Sequence, residues 1–504
     1  MQNLTLEIAC QQIRELFRAH TEWLFVPSEG GAQSLRRDDL EIAVLHGKLM
    51  FSCWTETGNR WWHILTWHWN GQLLELETSR RLGRERALMQ LVPRASAKHV
   101  TVMIRAAREL RCERLAQLVA AFEPETAIER LSLSRGTKPG QPGRYAQVLL
   151  RRQRRERIAV TGPIVPCRPA VVDAFLSSAL LWFRRAHYEQ LWLTISPELL
   201  KPLLYRVALL SNGLRDIIQV FTVDDELTTL REERCPDKQE LWNKKLARFP
   251  PVAAATASEL STGIIAEAAD AIDVVHSRHG ETLRYFGLPF ARVRSLLGHE
   301  KVWFGIDRAH RRLLDKTTWN EWQELLHDLR EHRSAAALDH RHAFYRAAPE
   351  AWLESLLRRD ITRLDPGLII APLHAQFRTA RGAKLGIRPI DLLALRQDGR
   401  LVVIELKVSE DREHVLQGAD YWRRVEAHRR RGHIAKAKLS GERTISDEPP
   451  LVYLVAPTLR VHPSFQTLAH CISPDIEIYR FDINEDWRSG VRVMRRSLIT
   501  PPNI

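Results

Sequence analysis

Residues 389–408 read PIDLLALRQDGRLVVIELKV, and no other stretch restricts the fold as much. Side chains alternate along a strand, so Val402, Ile404, Leu406 and Val408 share one face. Leu401 and Val403 take the other, ahead of Glu405 and Lys407. A strand apolar on both faces belongs inside a sheet that is covered on both sides. Gln397-Asp398-Gly399 suits a three-residue hairpin loop with Gly399 in the left-handed conformation. Centred on Asp398, that loop sets Asp391 opposite Glu405 and puts Asp391, Glu405 and Lys407 on one face. A two-residue Asp-Gly loop would pair Asp391 with Leu406 and scatter the three. In the first register two carboxylates adjoin inside a sheet, where they repel unless a cation lies between them. Mg²⁺ suits such a place, because it takes hard oxygen ligands and commonly one or two carboxylates plus water. A lysine beside it can orient an attacking water and neutralise charge developing on a phosphate.

The rest of the chain sets the context. Its 504 residues suggest about three domains at ~150 residues each, and 44% hydrophobic content is ample for their cores. A net charge of +14 favours polyanionic partners: DNA, RNA or acidic membrane surfaces. No apolar run approaches the ~18 residues of a membrane span; AFLSSALLWF at 174–183 is too short and runs into two arginines. The N-terminal stretch lacks the basic start of a signal peptide. Six cysteines are scattered without a CxxC pair, which speaks against zinc ribbons and disulfide frameworks. The expectation is a reduced, cytoplasmic protein with no membrane association.

Residues 1–133 read as a β-rich N-terminal domain: a helix, a meander with turns at Gly-Asn and Asn-Gly, and a helix near 98–121. Trp54, Trp61, Trp62, Trp67 and Trp69 read as strand-packing residues, with base stacking as the alternative. Arg105, Arg108, Arg111 and Arg114 drift around their helix as a solvated surface. SRGTKPGQPGR at 134–144 reads as a linker. Residues 145–338 read as an α/β middle domain without a phosphate loop or nucleophile elbow. At its start RRQRRER offers Arg151, Arg152, Arg154 and Arg155 as a phosphate-contacting patch, or else a solvated edge. His340 and His342 lack a third metal ligand nearby and read as a solvated linker, and His63 and His68, among the tryptophans, read as core or surface histidines. Residues 339–504 read as a mixed sheet flanked by helices, so the fold class is multidomain α/β.

In that last region the residues resemble a known family. Asp391, followed on the next strand by Glu405-Leu406-Lys407, resembles the PD-(D/E)xK nuclease superfamily, most closely its NucS and RecB-like branches. PEAWLESLLRRDITRLDPGL (349–368) is similar to the first core helix and Pro-Gly turn of such domains. Gln417 and Tyr421, one helical turn apart, match the QxxxY motif of RecB-like nucleases. The likeness covers residues 349–425. The family's Pro-Asp pair is here Pro389-Ile390-Asp391, and ARGAKLGIR before the catalytic strand is long. That connection is either a surface loop or a basic finger carrying Arg378, Arg381, Lys384 and Arg388. The resemblance implies a restriction-endonuclease-like domain that hydrolyses phosphodiester bonds. Its Mg²⁺, with Mn²⁺ as substitute, would be held by Asp391, Glu405, the Leu406 carbonyl and Glu350. Glu354 is the alternate for Glu350, although the apolar stripe of Leu353, Leu356, Leu357, Ile361 and Leu364 lies closer to Glu350. Lys407 would position the hydrolytic water, and Gln417 and Tyr421 would steady the lysine and a nearby phosphate. DNA is the expected substrate, in repair or defence, with a homo-oligomer or a sensing partner as further options. The rival reading is a catalytically inactive nucleic-acid-binding or assembly module of the same fold.

Overall fold

The computed structural model describes residues 2–499 apart from 28–32, 56–57, 81–84, 136–141, 153–155, 166–170, 186–187, 243–245, 247–248, 250–255, 278–279, 297–298, 307–310, 372 and 378–388. The chain is a multidomain α/β protein of four sheets flanked by helices. It divides into two compact units, Met1–Arg111 with Asp307–Arg311, and Cys112–Ile306 with Arg312–Ile504. Among the described residues no helix is long and apolar enough to cross a membrane.

In the first unit a seven-stranded antiparallel sheet carries the expected meander. Trp62 is buried and stacks on Phe51, and Trp67 and Trp69 pack against the same core. Trp54 is half exposed.

The second unit holds three sheets. The first runs from strand Thr126–Arg135 through Pro142–Arg152, Glu156–Pro163, Gln190–Ile195 and Ile218–Val223 to Leu230–Glu233. This corrects two expected boundaries. Strand Thr126–Arg135 pairs antiparallel with Pro142–Arg152, so it belongs with the sheet that follows, on which Cys112, Leu115, Ala116 and Val119 also pack, and not with residues 1–111. The 134–144 stretch, of which 136–141 lie outside the described residues, is thus flanked by two paired strands of one sheet and does not separate two domains. The second sheet is a five-stranded antiparallel one between Ile272 and Leu313.

The third sheet carries the charged hairpin. Its order is His374–Phe377, Ile390–Leu395, Leu401–Leu406, Leu451–Pro457, Ile478–Ile483 and Val493–Leu498. The middle three strands are parallel to one another and the outer ones antiparallel. Every residue of Leu401–Leu406 is buried, as a strand apolar on both faces requires. Helix Pro349–Arg359 covers one face, packing Trp352, Leu353 and Leu357 on Leu392, Val402, Ile404 and Leu406. Helix His414–Arg430 covers the other, where Tyr421 and Val425 meet Leu393 and Val403. That helix also presents Val415, Leu416 and Ala419 to a core shared with helices Val172–Arg184 and Pro197–Val207.

Candidate functional site

The hairpin register follows from its loop. Arg396 N–H donates to the Arg400 carbonyl and Gly399 N–H to the Arg396 carbonyl. Gly399 sits at φ +81°, a conformation an L side chain rarely adopts. The loop is thus the three-residue one, Gln397–Gly399. Pairing runs Leu395 with Leu401, Ala394 with Val402, Leu393 with Val403 and Leu392 with Ile404. One step further, Asp391 stands opposite Glu405. Asp391, Glu405 and Lys407 therefore share the face that looks toward helix His414–Arg430.

Their surroundings are unequal in charge. Glu405 is 2% exposed; its Oε1 accepts from Lys407 Nζ at 2.8 Å, and its buried Oε2 accepts from no donor. Burial, then the Asp391 charge, pushes the Glu405 carboxyl well above the ordinary range, and Lys407 offsets this only in part. Asp391 Oδ2 accepts from the Leu406 backbone N–H at 2.9 Å, which ties the two strands together at the charged end. Lys407 is nearly buried, and its backbone N–H donates to the Val455 carbonyl of the next parallel strand. Burial works against its ammonium, yet Glu405, Glu350 and Asp391 outweigh it and hold the pKa above its ordinary value. Lys407 is therefore charged at neutral pH. Its second carboxylate neighbour is Asp411, with Nζ to Oδ2 at 3.6 Å.

The two helix carboxylates separate cleanly. Glu354 is 1% exposed and bonds the Arg284 guanidinium at 3.1 Å, in a network with Asp273 and Arg358. Glu350, in the first turn of the same helix, is half-buried, and its charge acts on Lys407. Gln417 and Tyr421 are both buried on the facing helix. Tyr421 lies within the field of Glu405 and Asp391; burial, then Glu405, keeps its phenol protonated far above the usual tyrosine range. Gln417 donates to Glu413 at 3.1 Å while its Oε1 is buried without a partner. Here the expectation is corrected: Gln417 makes no hydrogen bond to Lys407, and its amide nitrogen donates to Glu413 on its own helix instead.

Two contributors escaped the sequence reading, Asp411 and His414. The His414 ring Nε2 lies 3.2 Å from the Glu405 carbonyl oxygen. Burial and the Lys407 charge push its pKa down to about 4, so a neutral imidazole N–H donates there and pins the helix start to the strand end. Neither residue belongs to a periodic pattern; SEDREH reads as a solvated turn.

The basic residues divide. Arg151 is exposed, whereas Arg152 is paired with Glu123 at 2.9 Å and Glu156 at 3.5 Å, so that side chain is already neutralised. Arg154, Arg155, Arg378, Arg381, Lys384 and Arg388 lie outside the described residues. Among the described residues no group of three or more His, Cys, Asp or Glu side chains forms a metal cage. The oxygen set available to a cation is the facing pair Asp391 and Glu405, the adjacent Leu406 carbonyl and, farther off, Glu350. Its hardness, and the buried Glu405 oxygen left without a donor, fit a small divalent cation.

No family model and no curated protein matches the chain. Among solved structures it is weakly similar to EndoMS in apo form, at 11% identity over 39% of this chain and 89% of that one, with a TM-score of 0.12. An EndoMS–dsDNA2 complex gives 11% identity over 35% and 76%, with a TM-score of 0.13.

Proposed function

We propose that the C-terminal centre hydrolyses phosphodiester bonds in nucleic acid, with DNA as substrate and Mg²⁺, or Mn²⁺ in its place, as cofactor. The observation that carries this reading is the Asp391–Glu405 pair beside a charged Lys407, with one buried Glu405 oxygen left without a donor. The reading is supported by the resemblance of residues 349–425 to the PD-(D/E)xK nucleases. Asp391, Glu405 and the Leu406 carbonyl would hold the cation, and Glu350 would reach it directly or through water. The bound cation would supply Lewis acidity toward water and the phosphoryl oxygens.

Hydrolysis adds water across a P–O bond: one P–O bond forms, another breaks, and the leaving oxygen ends with a proton. Lys407 is a donor in this scheme. A group held charged by three carboxylates cannot take the water's proton, but it can orient that water and offset charge gathering on phosphorus-bound oxygen. Gln417 offers a free amide oxygen at the same face, and Tyr421 a protonated phenol near both carboxylates.

One observation favours the inactive-module reading: Lys407 already contacts Glu405 at 2.8 Å and partly neutralises it. Incubation with labelled single- and double-stranded DNA and RNA, in Mg²⁺, Mn²⁺ or EDTA, separates the two. Cleavage of DNA that needs a divalent ion and is lost in Asp391→Asn and Glu405→Gln is the expected result. Cleavage persisting in EDTA overturns the metal-dependent reading. No cleavage, together with no heat of Mg²⁺ binding in calorimetry, leaves the structural module as the better one.

A further inference from the structure

A cavity of about 1040 Å³ lies within the second unit, between its first sheet and the C-terminal sheet. Strands Thr126–Arg135 and Pro142–Arg152 form one wall, and helix Val172–Arg184 with Tyr188 a second. Residues after the ends of the parallel C-terminal strands form the third. Arg130, Arg135, Arg184, Arg185 and Arg412 line it, and among the described residues no carboxylate does. None of the five forms an ion pair with a described carboxylate; Arg184 has only the Thr467 carbonyl and the Cys471 sulfur, at 3.5 and 3.7 Å. Elsewhere on the same sheet Arg152 is matched by Glu123 and Arg157 by Glu129. Like charges gathered around one space repel, and a polyanion relieves that repulsion. Guanidinium groups suit phosphate through paired N–H donors. Trp182 and Tyr188 add aromatic faces, with centroids 5.4 Å apart, of the kind on which bases stack.

The cavity adjoins the carboxylate pair. Asp411, which contacts Lys407, is followed by Arg412 at the cavity wall. His414, pinned to the Glu405 carbonyl, has its ring 6.1 Å from Phe465, and Ser464 and Gln466 on either side of Phe465 line the cavity. Strands Leu401–Leu406 and Leu451–Pro457 run parallel; Lys407 closes one, and the segment after the other leads to His462 on the cavity wall. The space is the size of a small-ligand pocket, a volume on the scale of a few nucleotides.

We propose that this arginine-lined cleft holds a single strand of nucleic acid flanking the bond cleaved at the Asp391–Glu405 centre, an assignment that rests on the hydrolytic reading above. Arginines spread over three walls match successive phosphates along a strand better than the phosphates of one free nucleotide.

The test is fluorescence anisotropy of the full chain in EDTA, with a short single-stranded oligonucleotide, the matching duplex, and ATP as competitor. The triple variant Arg130→Ala, Arg185→Ala, Arg412→Ala removes three exposed charges, and circular dichroism melting checks that it folds. Single-strand affinity should fall about tenfold or more, and the salt slope should flatten by roughly 0.7 for each phosphate no longer neutralised. The triple lysine variant should keep most of the affinity. Unchanged single-strand affinity and slope overturn the proposal. So does an arginine-dependent ATP site that leaves oligonucleotide binding untouched. Arginine-dependent strand binding in a protein that cleaves nothing supports the cleft while refuting the hydrolytic reading, so the two failures are distinguishable.

Discussion

Two clusters of buried charge lie on helix His414–Arg430 or face it, and they are built oppositely. Around Asp420, the guanidinium groups of Arg206, Arg423 and Arg424 approach to 3.5, 2.6 and 3.3 Å, and Arg206 also clasps Asp173 through two bonds. Three cations there face two carboxylates. Burial opposes the Asp420 charge, but the guanidiniums outweigh it and hold the carboxyl below its ordinary range. At the hairpin end four carboxylates (Asp391, Glu405, Glu350 and Asp411) face one ammonium, and Glu405 is driven upward. Each cluster sets carboxylates against cations at the sheet–helix layer; the balance differs. A buried cluster in which every carboxylate is matched by a guanidinium is a clasp. One left with surplus carboxylate is a place for a cation that the chain does not supply.

The sharpest way to break that contrast is at the surplus. Glu405→Gln or Asp391→Asn should cut cleavage by at least ~10²-fold, the scale of removing one group that stabilises transition-state charge. Melting temperature without divalent ions should hold or rise, since the substitution relieves repulsion. Lys407→Ala and Lys407→Arg should both lose cleavage yet keep nucleic-acid binding, because a planar guanidinium does not replace a compact ammonium; near wild-type cleavage by the arginine variant would reduce the role to charge alone.

The clasp should respond the other way. Asp420→Asn strands Arg423 and Arg424 and should cost about 3–5 kcal/mol in urea denaturation, far more than Glu405→Gln. Equal losses at both positions would erase the distinction. Gly399→Ala should cost about 1–2 kcal/mol, since φ is +81° and the added carbon would lie 2.7 Å from the Thr444 carbonyl oxygen. It tests the loop that sets the register.

The smallest effect is on pH. Glu405 has a folded-state pKa raised above its unfolded value of 4.5. The folded protein therefore binds the proton more tightly, and stability falls as pH rises from 4.5 through the raised pKa. Asp420 has a lowered pKa, so its contribution is intact above its unfolded value of 3.8 and is lost only as pH falls below it. Between these limits, metal-free protein should melt higher at mildly acidic than at neutral pH. Glu405→Gln should flatten that trend, and Mg²⁺ should raise melting temperature more at higher pH. A metal-free melting curve that does not change with pH would remove the claim that Glu405 is uncompensated.

The hairpin and its covering helices were legible because alternation and one glycine determine register locally. The apolar stripe placed Glu350 nearer the core than Glu354, yet Glu354 is the more deeply buried of the two, because Arg284 engages it from a strand about seventy residues earlier. Asp411 and His414 were hidden, since they act through a turn with no period. The arginine cleft was hidden for a different reason. Its members come from positions 130 to 412, whereas RRQRRER, conspicuous as a run, lies at a hairpin where Arg152 is already matched. Density along a sequence is a poor guide to charge density in space. The 134–144 stretch makes the same point about boundaries: its composition suits a domain linker, yet the strands on either side of it pair within one sheet.

The shared core beneath helix His414–Arg430 sets an order in time. Leu203 and Phe175 from the first sheet's helices are buried with Val415, Leu416 and Ala419, and with Phe465 and Leu468 still later in the chain. During synthesis the earlier helices must wait, apolar face uncovered, for residues more than two hundred positions downstream. The strand ends that carry Glu405 and Lys407 gain their covering helix in the same event. A ribosome-bound intermediate thus has neither a finished core nor an assembled centre, and closure of the layer delivers both at once.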